Sequence, residues 1–381
     1  MHILGIRPEL ILYFYMAGCI AVLIYNIGYI FWDRRKGKRL EKQSLDMVDK
    51  ILMQIQKITE DGPLTEEGMS VLKRNLRKLE RLRAFEYSLE EVKGRVSAEE
   101  YACYLTGLRG VFLDLAFYYS RRDLIEKAYF ASLIKKFGID RGHASYDGLM
   151  DFLVTLVIGP DVYARENALG ALYSIGNQEA VLAAWEKMED NGILHSVKLL
   201  ADGLLGFCGD RHELAKLLFA HRAKFSGQLN LPVMQFIRFS DGGFQEEFLE
   251  LLKKENEEKE LRLEAVRYFR RYPYEPAREM LFNFLRYQEY IDWEYAAMAA
   301  LALSSYPGID TQECLKQGLS ASNWYVRFNC AQSLIYGLKV PQLRLYDVYN
   351  GHDRYAREIL KYVSELQEIE DQQIDLEEIH V

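Results

Sequence analysis

The chain opens on a long stretch without charge. Residues 10–32, LILYFYMAGCIAVLIYNIGYIFW, contain 23 residues and no Asp, Glu, Lys or Arg. As a helix rising about 1.5 Å per residue they cover about 34 Å, enough for a hydrocarbon layer of about 30 Å. Beyond them the pattern changes. Apolar residues return at intervals of three and four, as in FLELLKK and LLADGLLGF, and β-branched alternation is scarce. That spacing predicts amphipathic helices throughout, an all-α protein.

One helix start is written twice. DVYARE at 161–166 and DRYARE at 353–358 share five of six letters, and related segments lie between them. With Arg165 as reference, equivalent positions are Lys198, Leu231, Arg262, Ala296, Arg327 and Arg357, separated by 33, 33, 31, 34, 31 and 30 residues. Three residues later stand Ala168, Ala201, Met234, Ala265, Ala299 and Cys330, slim enough to let two helices approach. Seven later stand Leu172, Leu205, Phe269, Leu303 and Leu334, one face lower and large enough to fill the space between layers. Arg238 interrupts that column and marks the third copy as the least regular. Four residues before the reference, Asp161, Asp292, Asn323 and Asp353 are natural N-caps. A second apolar helix lies between successive copies, for example QEAVLAAWEKM and AREMLFNFL. Each unit is thus a helical hairpin that cannot bury its apolar face alone.

NWYVRFNCAQSL and DVYARENALGAL resemble the second helix of a HEAT repeat, which opens on Asp-x-x-Val-Arg followed by spaced alanines and a leucine. The resemblance covers residues 121–364 and implies a right-handed α-α solenoid of about six to seven hairpins. It also implies a protein-binding role, with the Val-Arg helices lining the concave face. The expected organisation is a short extracytoplasmic N-terminus (1–9), a transmembrane helix (10–32), a basic juxtamembrane and helical linker region (33–120), the solenoid (121–364) and an acidic tail (365–381). Arg165 and Arg357 are expected to hold aspartates or carbonyls of adjoining turns rather than a ligand, and Arg262 and Arg327 are structural positions of the same repeat.

Charge sharpens the membrane reading. Residues 34–83 carry 14 Lys/Arg against 8 Asp/Glu; residues 1–33 sum to −1, which leaves −13 of the total −8 for the chain from residue 84. A basic cluster, Arg34, Arg35, Lys36, Lys38 and Arg39, directly follows the uncharged run, and Tyr29 and Trp32 sit at its end. The positive-inside rule then places the C-terminal part in the cytoplasm. A cleaved signal peptide would carry its basic residues before the apolar run, not after it. The acidic body argues against nucleic acid, whose phosphates need a broad basic surface.

Thr65 is a predicted N-cap for a helix with Leu72, Leu76, Leu79 and Leu82 on one face and Arg74, Arg77, Lys78 and Arg81 on another. That second stripe is either a surface for anionic lipid or a solvated helix face. SAEE at 97–100 reads as a capping box.

Chemical motifs fail on inspection. HELAK (212–216) has Lys216 where a second zinc ligand should stand, GLSAS (318–322) lacks the last glycine of a nucleophile elbow, and GLLGFCG (203–209) lacks the Gly-Lys of a phosphate loop. His143, His195, His212, His221 and His352 are scattered, and the five cysteines contain no CxxC. Isolated cysteines on helices are expected to be small buried hydrophobes in a reducing compartment. No cofactor or metal is expected. Tyr163, Tyr173, Trp293, Tyr295, Trp324 and Tyr325 ride the repeats and are partner-binding candidates, although repeat junctions also bury aromatics, the favoured reading for Trp293 and Trp324. The expected function is that of a membrane-anchored scaffold or adaptor for a protein partner, itself a membrane protein. By analogy with membrane-tethered bacterial HEAT proteins, it would be an accessory subunit of a glycosyltransferase or transporter complex. An enzyme with its site in the concave groove is the alternative.

Overall fold

A computed structural model describes the backbone of residues 8–61 and 65–378, and the side chains of residues 12–58, 65–367 and 369. Most of the predicted 1–9 segment, the Gly62-Pro63 breaker and the last residues and most side chains of the acidic tail lie outside the described residues. Those described are helical, with no strand among them. The chain divides into two units, Met1–Ala184 and Trp185–Val381.

The first unit contains α1 (Pro8–Asp61), α2 (Glu66–Leu76), α3 (Leu79–Lys93), α4 (Ala98–Gly107), α5 (Arg109–Tyr119), α6 (Leu124–Phe137), α7 (Gly148–Leu156) and α8 (Val162–Ile175), and α9 (Gln178–Asp190) carries the chain onward. The helix expected to end near residue 32 does not end there. α1 runs unbroken for 54 residues, about 80 Å, because residues 33–61 are rich in helix formers and contain no proline. Its first half exposes apolar side chains from Leu12 to Trp32 and is long and apolar enough to cross a bilayer. Its second half is amphipathic: Met47, Val48, Ile51 and Ile55 are buried, and α1 packs on α3 and α4. Ser88 Oγ donates to the Ser44 carbonyl at 3.0 Å, and Tyr104 Oη to Gln54 Oε1 at 3.0 Å. Residues 40–58 are therefore part of a folded core rather than a linker.

The rest of this unit closes around stacked rings. Phe112 lies 5.4 Å from Phe130, which lies 4.7 Å from Tyr119 and 5.7 Å from Phe152. Ser97 forms both halves of the expected capping box with Glu100, and Thr65 accepts from the Gly68 amide.

The second unit contains α10 (Val197–Leu205), α11 (Arg211–Ala220), α12 (Gly227–Ser240), α13 (Gln245–Lys253), α14 (Lys259–Arg271), α15 (Glu275–Arg286), α16 (Trp293–Leu303), α17 (Ile309–Gly318), α18 (Trp324–Gln332), α19 (Tyr346–Tyr349) and α20 (Arg354–Glu378). Even-numbered helices pack in series, α10 on α12, α12 on α14, and so on to α20. α11, α13, α15 and α17 each pack on the helix that follows them. The slim column at Ala201, Met234, Ala265, Ala299 and Cys330 is buried, as is Ala168 in the first unit. Arg238, the exception in the large column, is answered by a neighbour: its Nε lies 2.8 Å from Glu264, a carboxylate with 1% exposure that also pairs with Arg267 at 2.5 Å. Cys314 and Cys330 are buried as expected, and burial pushes the Cys314 thiol up to about 11; Cys19, Cys103 and Cys208 are exposed instead.

Candidate functional site

Five of the repeat helices, α8, α14, α16, α18 and α20, begin three residues before the reference position, so the helical register decides which aromatics face outward. The first two residues of these five helices are exposed or half-buried and the third is buried. At the first, Trp293 and Trp324 are 40% and 46% exposed; at the second, Tyr163, Tyr325 and Tyr355 are exposed more fully. At the third, Ala164, Leu261, Val326 and Ala356 are buried. The expectation that Trp293 and Trp324 fill repeat junctions is therefore corrected. Tyr295 occupies the third position and is buried against Phe284, with the Arg262 guanidinium over its ring, so it is removed as a partner contact. Tyr173 is also removed, because the end of α8 is enclosed on all sides.

The exposed rings form a ladder across three helix starts of the second unit. Trp293 of α16 stacks on Tyr325 of α18 at 5.2 Å, and Tyr325 meets Trp324 edge-on at 5.2 Å. Trp324 stacks on Phe328 one turn later, at 4.9 Å, and Phe328 approaches Tyr362 of α20 at 6.5 Å. The Arg327 guanidinium lies 5.3 Å over Tyr355. Rings that brace one another in this way offer a large amphipathic area whose rotamer entropy is already lost.

Arg327 anchors the start of α18, and the same arginine recurs at other repeat positions but not in α16, where Ala296 replaces it. Arg327 Nη1 donates to the carbonyls of Ala321 and Ser322 at 2.6 and 2.9 Å, and Arg165 Nη1 to that of Gly159 at 3.2 Å. Arg357 reaches the Gly351 carbonyl, and Arg262 Nε the Leu252 carbonyl at 3.2 Å. Asp161, Asn323 and Asp353 cap their helices through side-chain oxygens. Asp292 does not; its carboxylate pairs with Lys259 at 3.1 Å.

Of the predicted membrane-surface residues, Arg34, Arg35, Lys36, Lys38 and Arg39 are exposed on α1, and Lys36 lies over the Trp32 ring at 5.0 Å. The second stripe is corrected. Lys78 adopts extended backbone (φ −97°, ψ 124°), which separates α2 from α3 and breaks the helical register on which the stripe depended. Arg74 and Lys78 are exposed, Arg77 lies over Tyr118 and Arg81 is half-buried between α1 and α2.

One cluster escaped the sequence reading. His143 stands with Asp140 and Asp147, their ligand atoms within 4.8 Å of one another. A guanidinium from α5 already occupies the centre: Arg109 donates to His143 Nε2 at 2.7 Å and to Asp147 Oδ2 at 2.9 Å, and its Nε lies 3.2 Å from Asp140 Oδ1. Asp147 also caps α7. Asn177 ties the loop down through the His143 and Ala144 carbonyls. Burial pushes the Asp140 carboxyl up to about 6, with His143 and Arg109 pulling the other way. The cavities of about 530, 510 and 350 Å³ in this unit are lined by other residues. The four side chains thus hold one another, with Arg109 Nε and the buried Asp140 Oδ2 making no hydrogen bond among the described residues. The cluster's sequence signal was Asp140-x-x-His143-x-x-x-Asp147 in a glycine-flanked loop, but the cation that organises it lies 31 positions upstream of the first carboxylate. No protein-family model matches the chain, and no curated protein does.

Proposed function

We propose that this protein is a membrane-anchored cytoplasmic scaffold or adaptor whose HEAT-like repeats, stacked as an α-solenoid in the second unit, bind a protein partner. The observation that carries this reading is the exposed aromatic ladder of Trp293, Trp324 and Tyr325, built on repeat positions and braced by stacking. Trp and Tyr are enriched among residues that dominate binding energy. The apolar half of α1 supports a partner in the same membrane, because tethering raises the effective concentration and lets a modest interface suffice. The basic residues that follow the apolar run favour a cytoplasmic body. The role that fits is an accessory or regulatory subunit of a membrane complex such as a polysaccharide-synthesising glycosyltransferase or a transporter.

An enzyme is the second reading, and the raised Asp140 carboxyl beside His143 is what favours it. Against it, Arg109 already engages His143 and Asp147 beside that carboxyl. Purification in gentle detergent with mass spectrometry of co-isolated proteins tests the scaffold reading. A membrane protein should accompany the wild type and be lost from the Trp293→Ala/Trp324→Ala double variant. An unchanged set of companions in that variant would overturn it.

A further inference from the structure

The basic residues after the apolar run have a partner surface that sequence alone did not show. Trp32, Arg35, Lys36 and Arg39 recur at helical spacing along one face of α1, and Arg83 and Glu80 approach that face from α3. Together they line a groove of about 510 Å³. None of the four cations is paired with a carboxylate among the described residues. Packing fixes the groove: α1 and α3 bury Val48, Ile51, Leu82 and Phe85, and the Ser88–Ser44 bond holds the two helices in register. Arg83 is held over the Tyr129 ring at 5.6 Å.

We propose that this groove binds the phosphodiester headgroup of an anionic phospholipid. The inference rests on the reading of residues 10–32 as a membrane span. Trp32 ends the uncharged run, so the groove begins where the hydrocarbon ends, and the seven residues to Arg39 extend about 10 Å further, through the headgroup layer. Guanidinium forks match the two non-bridging oxygens of a phosphodiester. The Trp32 ring suits the glycerol backbone at the interface. Glu80 is placed to accept a headgroup hydroxyl, whereas a choline ammonium would meet four cations against one carboxylate. Phosphatidylglycerol has the matching chemistry. A diffuse basic collar would attract anionic lipid without regard to Arg83; the groove makes Arg83 a specific contact.

The test uses the full-length chain, incubated with mixed micelles of phosphatidylcholine and phosphatidylglycerol, with native mass spectrometry of retained lipid. Phosphatidylglycerol should be retained preferentially. Arg35→Gln with Arg83→Gln should reduce that preference about 25-fold, about fivefold for each cation. Lys93→Gln with Arg95→Gln removes the same charge at the far end of α3 and should leave it unchanged. Flotation with pure phosphatidylcholine liposomes reports the span separately. If the wild type fails to float, the membrane reading falls and the proposal with it. If all proteins float but the preference is absent, is unmoved by the groove variant, or falls equally in the control, the groove assignment is overturned while the span stands. Inorganic phosphate and glycerol 3-phosphate should not displace the lipid; displacement would assign the groove to a soluble phosphate and overturn the lipid proposal.

Discussion

The two units place their most unusual side chains to opposite ends. In the first, Arg109, Asp140, His143 and Asp147 turn toward one another and the Arg109 guanidinium engages all three, although Asp140 Oδ2 makes no hydrogen bond among the described residues. In the second, Trp293, Trp324 and Tyr325 stack sideways yet leave large faces in solvent. A polar cluster that looks catalytic by composition can be structural when a cation of the protein already fills it. An aromatic cluster that looks like core by periodicity can be a surface when the register turns it outward. The difference lies in what remains unsatisfied after folding.

Four variants break or sharpen that contrast. Trp293→Ala with Trp324→Ala should weaken partner binding roughly 100-fold, as for paired hot-spot residues. It should cost only about 1 kcal/mol of stability, because both rings are half exposed. Affinity measured against the co-isolated partner, beside a thermal melt, separates the two effects. Arg109→Ala should do the reverse. It leaves the carboxylates of Asp140 and Asp147, with side-chain exposures of 3% and 13%, facing each other without their cation. The expected loss is about 2–3 kcal/mol, below the full buried-pair value because Arg109 is itself partly exposed, read as faster hydrogen exchange across residues 138–147. Arg327→Ala removes two carbonyl contacts beneath the ladder and should cost about 1–2 kcal/mol in chemical denaturation. Ala296, at the equivalent position of α16, already forgoes that contact, so its substitution by Gly should cost only about 1 kcal/mol of helix propensity.

A further prediction concerns pH. Asp140 has its folded value raised from 3.8 to about 6, so the folded state holds this proton more tightly than the unfolded chain. Its contribution to stability is complete below about pH 4 and is lost as pH rises through about 6. Asp140→Asn should flatten that part of the melting-temperature profile. Asparagine tolerates the positive φ of 67° at this position, so the comparison is made in an intact loop.

The repeat was legible in sequence because three physical demands recur at fixed offsets: a cap before the helix, a slim residue three after Arg165, and a large one seven after. Those are local constraints, and each reference position lies in a helix, although the cap is written at only four of the seven copies. The extent of α1 was not legible, since an uncharged run marks where lipid would end but not where a helix ends. The stripe from Arg74 to Arg81 failed because a single extended residue, Lys78, resets helical phase without any proline or glycine to announce it. Tyr295 and Tyr325 look alike in sequence but differ by one position in register, and that one position buries the first and exposes the second. The Arg109 knot depends on an arginine and a loop that only tertiary packing brings together.

The central claim is that the ladder holds a membrane protein partner while α1 spans the same bilayer. Photo-crosslinking from a benzophenone side chain at position 325, carried out in native membranes, tests it most directly. The account predicts one discrete adduct with an integral membrane protein, with its yield collapsing when Trp293 and Trp324 are replaced by alanine. An adduct that persists at full yield in that variant, or partners confined to soluble proteins, would contradict it.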